Sequence, residues 1–354
     1  EVPENCTVTY TTDGTLPTES SNRYNGSISI SKTTPLRVRA FESGYMASDI
    51  VSQTYVVYTG ENTIQSHRFS LPVISIVTDP ANFWDPDTGI YVIGSDYAET
   101  SGQLPTDIRM TAGMNDPNWN LANFNAQPKS HPDPLGRDWE RDVHFDYIDA
   151  SGVSVYSGDG VVQIQGQFSR NNEQKGLALI AKGAYGDSTF GYPFFENRTS
   201  TTYKSLILRA SAQDATYSRI RDNLVTTLFE EGNNGLPEDR AVVVQAHKQV
   251  VVLINGKYWG VYDFMERIKE DFVASRFHLS NPDSVDLLYG NGNQFCVLAG
   301  NGWEDYTEMV EWAGSNDLSN PSNYEHINTL MDTENYATYV AAEIVIGNTD
   351  SGNV

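Results

Sequence analysis

The order of two kinds of hydrophobic periodicity constrains the fold of this chain more than any other feature. In many segments before residue 265, apolar residues alternate with polar ones, as they do in β-strands with one buried face. Gln249–Ile254 and Tyr258–Phe264 are the clearest strand pair, because the dipeptide Asn255-Gly256 between them favours a tight β-hairpin. Beyond residue 292 the spacing becomes helical, and the predicted helices are Glu304–Ala313, Tyr324–Met331 and Asn335–Ile346. A strand-rich part followed by a helix-rich part indicates an α+β domain.

The first 58 residues are predicted to form a separate all-β unit, an immunoglobulin-like sandwich. Its predicted strands are Thr7–Thr12, Ser27–Ser31, Leu36–Phe41 and Ile50–Val57. We place the domain boundaries at 1–58 for this sandwich, 59–67 for a linker and 68–354 for the α+β domain. Within the larger domain, residues 94–137 are rich in Pro, Asn, Asp and Gly and are predicted to form a long loop.

The sandwich segment contains a pattern made of the run from Tyr10 to Thr18, then Tyr24, Leu36–Phe41 and Gly44-Tyr45. This pattern closely resembles the chitobiase/β-hexosaminidase C-terminal domain. It implies an accessory spacer or adhesion module of a secreted bacterial protein. Tyr10, Tyr24 and Tyr45 are candidates for a sugar-binding platform, although packing in the core or at an edge is the commoner use of tyrosines in a sandwich.

Composition argues against several classes of function. The 23 basic residues face 46 acidic ones, and the net charge of −23 does not suit binding to a nucleic-acid backbone. No run approaches the roughly 18–20 apolar residues that a membrane span needs. The two cysteines exclude a disulfide framework and a cysteine zinc cluster but leave a single bridge open. The six histidines lack metal-ligand spacing, and no Gly-x-Ser-x-Gly, His-Glu-x-x-His or Walker sequence occurs.

The closing segment combines an apolar helix with a polar loop. The last predicted helix ends at Gly347, and Asp350 and Asn353 follow three positions apart. A carboxylate and a carboxamide at this spacing suit a hydroxyl-activating base beside a metal ligand. An ordinary loop, in which these side chains bond the local backbone, explains the same residues.

Several short motifs are spread over residues 68 to 354. They are Leu71–Asp79, Gly89–Val92, Trp139–Arg141, Gln174-Lys175, Tyr185-Gly186, Tyr203–Arg209, Ile220–Asp222, Asn255–Tyr262 and Gly347–Asp350. Together these motifs resemble the CotH (spore-coat protein H) kinase family. The resemblance implies an atypical, secreted protein-kinase fold. It also implies transfer of phosphate from ATP, with Mg or Mn, to Ser or Thr of a protein partner, for example a surface or coat protein.

Four residues are nucleotide-binding candidates by this resemblance. Lys175, at the start of a strand, would contact phosphate, and Glu266, at the start of a helix ending at Phe277, would pair with it. A solvated strand-end lysine and a carboxylate favoured by the helix dipole are the simpler readings. Arg209 and Arg221 lie where the family has arginines that could reach phosphate, but structural ion pairs are the commoner fate of such arginines.

The closing loop supplies the catalytic and metal candidates. Asp350 matches the catalytic aspartate of the family and is also a candidate metal ligand, and Asn353 is the candidate amide ligand. The spacing of three between them is shorter than the spacing of five in the ordinary kinase loop. The family continues to a second metal-binding aspartate, whereas this sequence ends at Val354, so the expected kinase domain is truncated and its activity in this form stays open.

The expected protein is therefore secreted or on the bacterial cell surface, with an N-terminal sandwich and a kinase-like domain. The alternative is a non-catalytic surface or adhesion protein. In that case the kinase-like fold is a scaffold and the sandwich binds glycan or cell wall.

Overall fold

The structure is a computed structural model that describes residues 5–58, 70–86, 88–92, 140–166, 169, 172–237, 241–291 and 294–348. It divides into two compact units. The first contains residues 1–217 and 247–265, and the second contains residues 218–246 and 266–354. In the described part of the chain, no helix is both long and apolar enough to span a bilayer.

The N-terminal region is sandwich-like and contains a four-stranded antiparallel sheet. Its strands are β1 (Thr7–Thr11), β2 (Asn22–Arg23), β3 (Thr34–Phe41) and β4 (Val51–Tyr55), in the order β2-β1-β3-β4. The strand predicted at Ser27–Ser31 is wrong. Ile28 and Ile30 are half-buried and the three serines of the segment are exposed, so burial alternates although the segment does not pair as a strand. Cys6 carries a free thiol.

The rest of the first unit contains a closed barrel of seven strands, a short helix and a two-stranded sheet. Its elements are β5 (Val73–Val77), α1 (Ala81–Trp84), β6 (Arg141–Ile148), β7 (Ser154–Gln165), β8 (Gly176–Ile180), β9 (Phe190–Gly191), β10 (Thr202–Tyr203), β11 (Ser205–Arg209), β12 (His247–Ile254) and β13 (Lys257–Glu266). The barrel order is β11-β13-β12-β5-β6-β7-β8, and β9 pairs with β10 outside it. Only β5 and β12 are described as a parallel pair; the other described barrel pairings are antiparallel.

The sequence of β5 explains its central position. All five residues of Val-Ile-Ser-Ile-Val are buried, as expected for a strand that is covered on both faces. Val73 packs with Ile148, Val251 and Leu253, and Val56 from the end of the N-terminal region covers this group. The N-terminal sheet therefore lies against the barrel and shares its core.

Aromatic rings form another part of the core. Phe145, Phe190 and Phe194 are almost completely buried, and Phe145 and Phe190 meet edge to face with ring centroids 5.0 Å apart. Phe194 makes the same kind of contact with Phe264 at 5.4 Å. Edge-to-face pairs of this kind stabilise a core beyond the area that they bury.

The second unit is mainly helical. Its elements are α2 (Arg221–Gly232), α3 (Glu270–Arg276), β14 (Leu287–Asn291), β15 (Gln294–Ala299), α4 (Trp303–Ser315), α5 (Pro321–Leu330) and α6 (Thr333–Ile346). The side chains of Asn320 and Asp332 cap α5 and α6 by accepting bonds from Ser322 N and Asn335 N. As predicted, α6 stops at Gly347, which has a left-handed conformation with φ of 63°.

Candidate functional site

Two of the predicted nucleotide-binding residues lie at one end of the barrel. Lys175 directly precedes β8, and Arg209 is the last residue of β11. These strands are antiparallel neighbours with Leu177 opposite Leu208. The start of β8 and the end of β11 are therefore side by side, and the structure brings Lys175 and Arg209 to the same end of the barrel.

Lys175 is a buried cation with defined partners. It is only 3% exposed, and its Nζ donates a hydrogen bond to the carbonyl oxygen of Asn172 at 2.9 Å. The same Nζ lies 5.4 Å from the centre of the Tyr91 ring, within the range of a cation–π interaction. A buried ammonium group needs such partners because burial removes its water. The simpler expectation of a solvated strand-end lysine is wrong.

Tyr91 belongs to an aromatic cluster beside this lysine. Its ring stacks on Phe83 at 5.8 Å and meets Trp84 at 5.2 Å and Trp259 at 5.3 Å. Trp84 is 37% exposed, so the cluster extends from the core to the surface. These rings are not among the predicted site residues. Tyr91 and Trp259 are 168 positions apart, and no local pattern shows that they meet.

The segment before β8 is also tied to β13. Gln174 Nε2 donates a hydrogen bond to the carbonyl oxygen of Val261 at 2.9 Å. Gly260 permits this approach, because its φ is 143° and a Cβ added there would lie 2.6 Å from Gln174 Nε2. The predicted motif around Trp259-Gly260 therefore has a structural reason for its glycine.

Glu266 and Arg221 belong to the second unit. The predicted placement of Glu266 is wrong: it is the last residue of β13, and α3 begins at Glu270. Its carboxylate accepts bonds from Arg276 Nη2 at 2.6 Å and from Ala246 N at 2.7 Å. Arg221 is the first residue of α2 and is exposed. The pairing of Glu266 with Lys175 stays a prediction.

Asp350 and Asn353 lie outside the described residues. Their predicted roles as catalytic base and metal ligands therefore stay predictions. In the described ranges, no group of three or more His, Cys, Asp and Glu side chains is arranged to hold a metal ion.

A second polar cluster, which was not predicted from the sequence, joins β6 and β7. His144 Nδ1 lies 2.8 Å from Asp159 Oδ1, and Ser157 Oγ lies 3.0 Å from His144 Nε2. Serine, imidazole and carboxylate follow in the order of a hydrolase triad. Burial disfavours the charged imidazole, but hydrogen bonds and attraction from Asp146 and Asp159 outweigh burial and raise the pKa of His144 to about 9. Because Ser157 Oγ donates its proton to the carboxylate of Asp146 and not to His144, we interpret the cluster as structural.

Asp146 connects this cluster to the N-terminal sheet. It is completely buried, and its carboxylate accepts bonds from Thr54 N at 2.8 Å and Gln53 Nε2 at 2.9 Å. Ser157 Oγ donates to the same carboxylate at 2.9 Å, and His144 Nε2 lies 3.4 Å from it. The charge of Asp146 is thus compensated by groups from two β-sheets.

Comparison with known families agrees with both resemblances. The family described as CotH kinase protein matches residues 162–354, a range that includes Lys175, Arg209 and Asp350. The chitobiase/β-hexosaminidase C-terminal domain matches residues 2–52. No curated protein matches the chain significantly.

Proposed function

Because the chain belongs to the CotH kinase protein family, we propose that it is a secreted bacterial protein kinase. Its reaction transfers phosphate from ATP, bound with Mg or Mn, to the hydroxyl group of Ser or Thr in a protein partner. The partner is a surface or coat protein. The alternative is a non-catalytic adhesion scaffold. We do not favour it, because the chain belongs to a kinase family.

The buried cation at Lys175 is the observation that supports this proposal best. Phosphoryl transfer needs little covalent chemistry from the protein and depends on positioned positive charge beside the phosphates. Lys175 lies within the matched range, and its ammonium group is held at a barrel end that Arg209 shares. When bound, ATP supplies the transferred phosphoryl group, and Lys175 and Arg209 neutralise its phosphate charge.

Asp350 and Asn353 complete the proposal from the sequence. Asp350 accepts the proton that the attacking hydroxyl group loses, and both side chains bind the divalent metal. A carboxylate and an amide oxygen are suitable ligands for Mg or Mn.

Calorimetry of ATP with manganese tests the nucleotide site. Lys175→Met should weaken binding at least about tenfold, because a hydrogen bond to a charged group contributes about 1.5–3 kcal/mol. Lys257→Met is the matched control, since Lys257 is exposed at the first position of β13. Wild-type protein that binds no ATP, or equal affinity in both variants, would overturn the nucleotide assignment.

Transfer of radiolabel from ATP to protein tests the catalytic assignment. Asp350→Asn should abolish transfer while ATP still binds, because the amide cannot accept the hydroxyl proton. Retained transfer would mean that another residue is the base.

A further inference from the structure

The hydroxyl group of Tyr91 is the meeting point of three hydrogen bonds. It accepts from the backbone N–H of Lys175 at 2.8 Å and from Trp259 Nε1 at 2.9 Å, and it donates to the carbonyl oxygen of Glu173 at 3.0 Å. One side-chain atom therefore holds the backbone on both sides of Gln174 and ties it to β13 through Trp259.

The ring of Tyr91 is itself held in place. It is 6% exposed and stacks on Phe83, which is completely buried. Burial raises the pKa of Tyr91, so its hydroxyl group stays protonated and continues to donate to Glu173. The ring also lies under the ammonium group of Lys175, at 5.4 Å. Both ends of the lysine, the backbone N–H and Nζ, thus contact the same tyrosine.

We propose that Tyr91 is the residue that positions Lys175 for the nucleotide. This inference rests on the proposed function, in which Lys175 contacts phosphate. A hydroxyl group that fixes the backbone at Lys175 removes the freedom of the segment before β8, and preorganised charge is what phosphoryl transfer requires. Tyr91 acts through Lys175 and need not touch ATP.

Tyr91→Phe tests the proposal because it keeps the ring and removes all three hydrogen bonds. Tyr203→Phe is the matched control: Tyr203 is 5% exposed in the same unit, and its hydroxyl group donates to the carbonyl oxygen of Ser200 at 3.0 Å. Trp259→Phe removes one of the three hydrogen bonds, together with part of the ring that packs on Tyr91, and should show a smaller effect in the same direction. It provides a milder test if Tyr91→Phe folds poorly.

Two measurements separate positioning from simple loss of packing. The first is the rate at which acetic anhydride modifies Lys175, followed by mass spectrometry without nucleotide. The second is the affinity for ATP with manganese. Tyr91→Phe should raise the modification rate several-fold and weaken ATP binding by about tenfold or more, because a small displacement of a positioned group is costly. Tyr203→Phe should match the wild type in both.

The remaining outcomes are equally informative. Unchanged modification of Lys175 in Tyr91→Phe would overturn the proposal, and so would equal acceleration in Tyr203→Phe. Weaker ATP binding with unchanged modification would also overturn it and would mean that the hydroxyl group acts on the nucleotide itself. If the wild type binds no ATP but Tyr91→Phe accelerates modification, the proposed function fails while the positioning of Lys175 by Tyr91 stands.

Discussion

A single buried carboxylate, Asp146, accepts hydrogen bonds from backbone and side-chain groups in distant parts of the chain. Its oxygens accept bonds from Thr54 N, Gln53 Nε2 and Ser157 Oγ, and His144 lies beside it. A buried charge of this kind is tolerated only when its partners compensate the loss of water.

Replacing Asp146 by Asn should therefore be strongly destabilising. Removing one partner of a buried pair costs about 3–5 kcal/mol, because the other charge is left uncompensated. Asp159→Asn is the matched variant. Asp159 also contacts His144 but is 47% exposed, so water already screens this interaction. The free energy of unfolding should therefore fall by about 1 kcal/mol or less. Urea unfolding of the two variants gives both values. Equal losses of stability in the two variants would show that the burial of Asp146 does not increase its contribution to stability.

His144 makes the stability of the protein depend on pH. Its pKa is raised from 6.5 to about 9 in the folded state, so the folded protein binds this proton more tightly than the unfolded chain. The stabilisation is complete below pH 6.5 and is lost as pH rises through about 9. The free energy of unfolding should therefore decrease as the pH rises from 6.5 to about 9.

Unfolding in urea at a series of pH values checks this dependence. His144→Gln should flatten the curve between the two pKa values, because glutamine carries no proton to lose. The same substitution at His326, which is exposed on α5, serves as the control and should preserve the wild-type slope. If His144→Gln keeps the wild-type dependence of stability on pH, another titrating group must cause that dependence.

At the scale of elements, the sequence predicted those features that depend on neighbouring residues. The hairpin of β12 and β13 is confirmed, with φ of 48° at Asn255 and 73° at Gly256, as expected when both turn residues are left-handed. The end of α6 at Gly347 is confirmed for the same reason. In both cases the residue type itself determines the local backbone.

Features that depend on distant contacts could not be predicted. A helix is predicted to begin at Glu266 directly after the hairpin, but β13 continues to this residue, and its backbone N–H bonds the carbonyl oxygen of Ala246, just before β12, at 3.1 Å. Ser27–Ser31 alternates like a strand but has no partner strand in the described sheet. The roles of Tyr91 and His144 arise from residues that only the closed barrel brings together.

The hairpin turn supports more than its own two strands. A Cβ at Gly256 would lie 2.8 Å from Pro35 Cδ and 3.1 Å from the carbonyl oxygen of Thr33, both in the N-terminal sheet region. Asn255 Oδ1 accepts a bond from Thr78 N at 3.0 Å, just after β5. The turn is thus packed between the sheet and the barrel.

Gly256→Ala should separate this packing from backbone strain. The left-handed conformation alone costs an alanine about 1–2 kcal/mol, and the forced contact with Pro35 should add about 1–3 kcal/mol. Gly235→Ala is the matched control, because Gly235 has φ of 89° and no atom within 4 Å of an added Cβ. The difference in free energy of unfolding between the two variants measures the contact. If they lose equal stability, the turn does not pack against the N-terminal sheet.

At the scale of the whole molecule, the question is whether the N-terminal sheet is a separable module. Its resemblance to an accessory domain suggests a spacer that folds by itself. The contacts suggest the opposite: Thr54 Oγ1 lies 2.9 Å from Ser75 Oγ on β5, and Val56 covers the core group around Val73. Asp79 Oδ2 also accepts a bond from Leu16 N at 3.4 Å.

We therefore predict that the N-terminal sheet and the barrel open as one cooperative unit. Hydrogen exchange followed by mass spectrometry should give β3 and β4 the same opening free energy as β5 and β6, since the amide of Thr54 is bonded to the buried Asp146. Asp146→Asn should lower protection in all four strands together. Asp149→Asn is the control, because Asp149 is half-buried just after β6 and its described side-chain hydrogen bonds go only to residues 151–153 of its own turn. Exchange of β3 and β4 well ahead of β5 in the wild type would instead establish an independent module. In that case the N-terminal sheet would resemble an accessory domain in its independent folding as well as in its sequence.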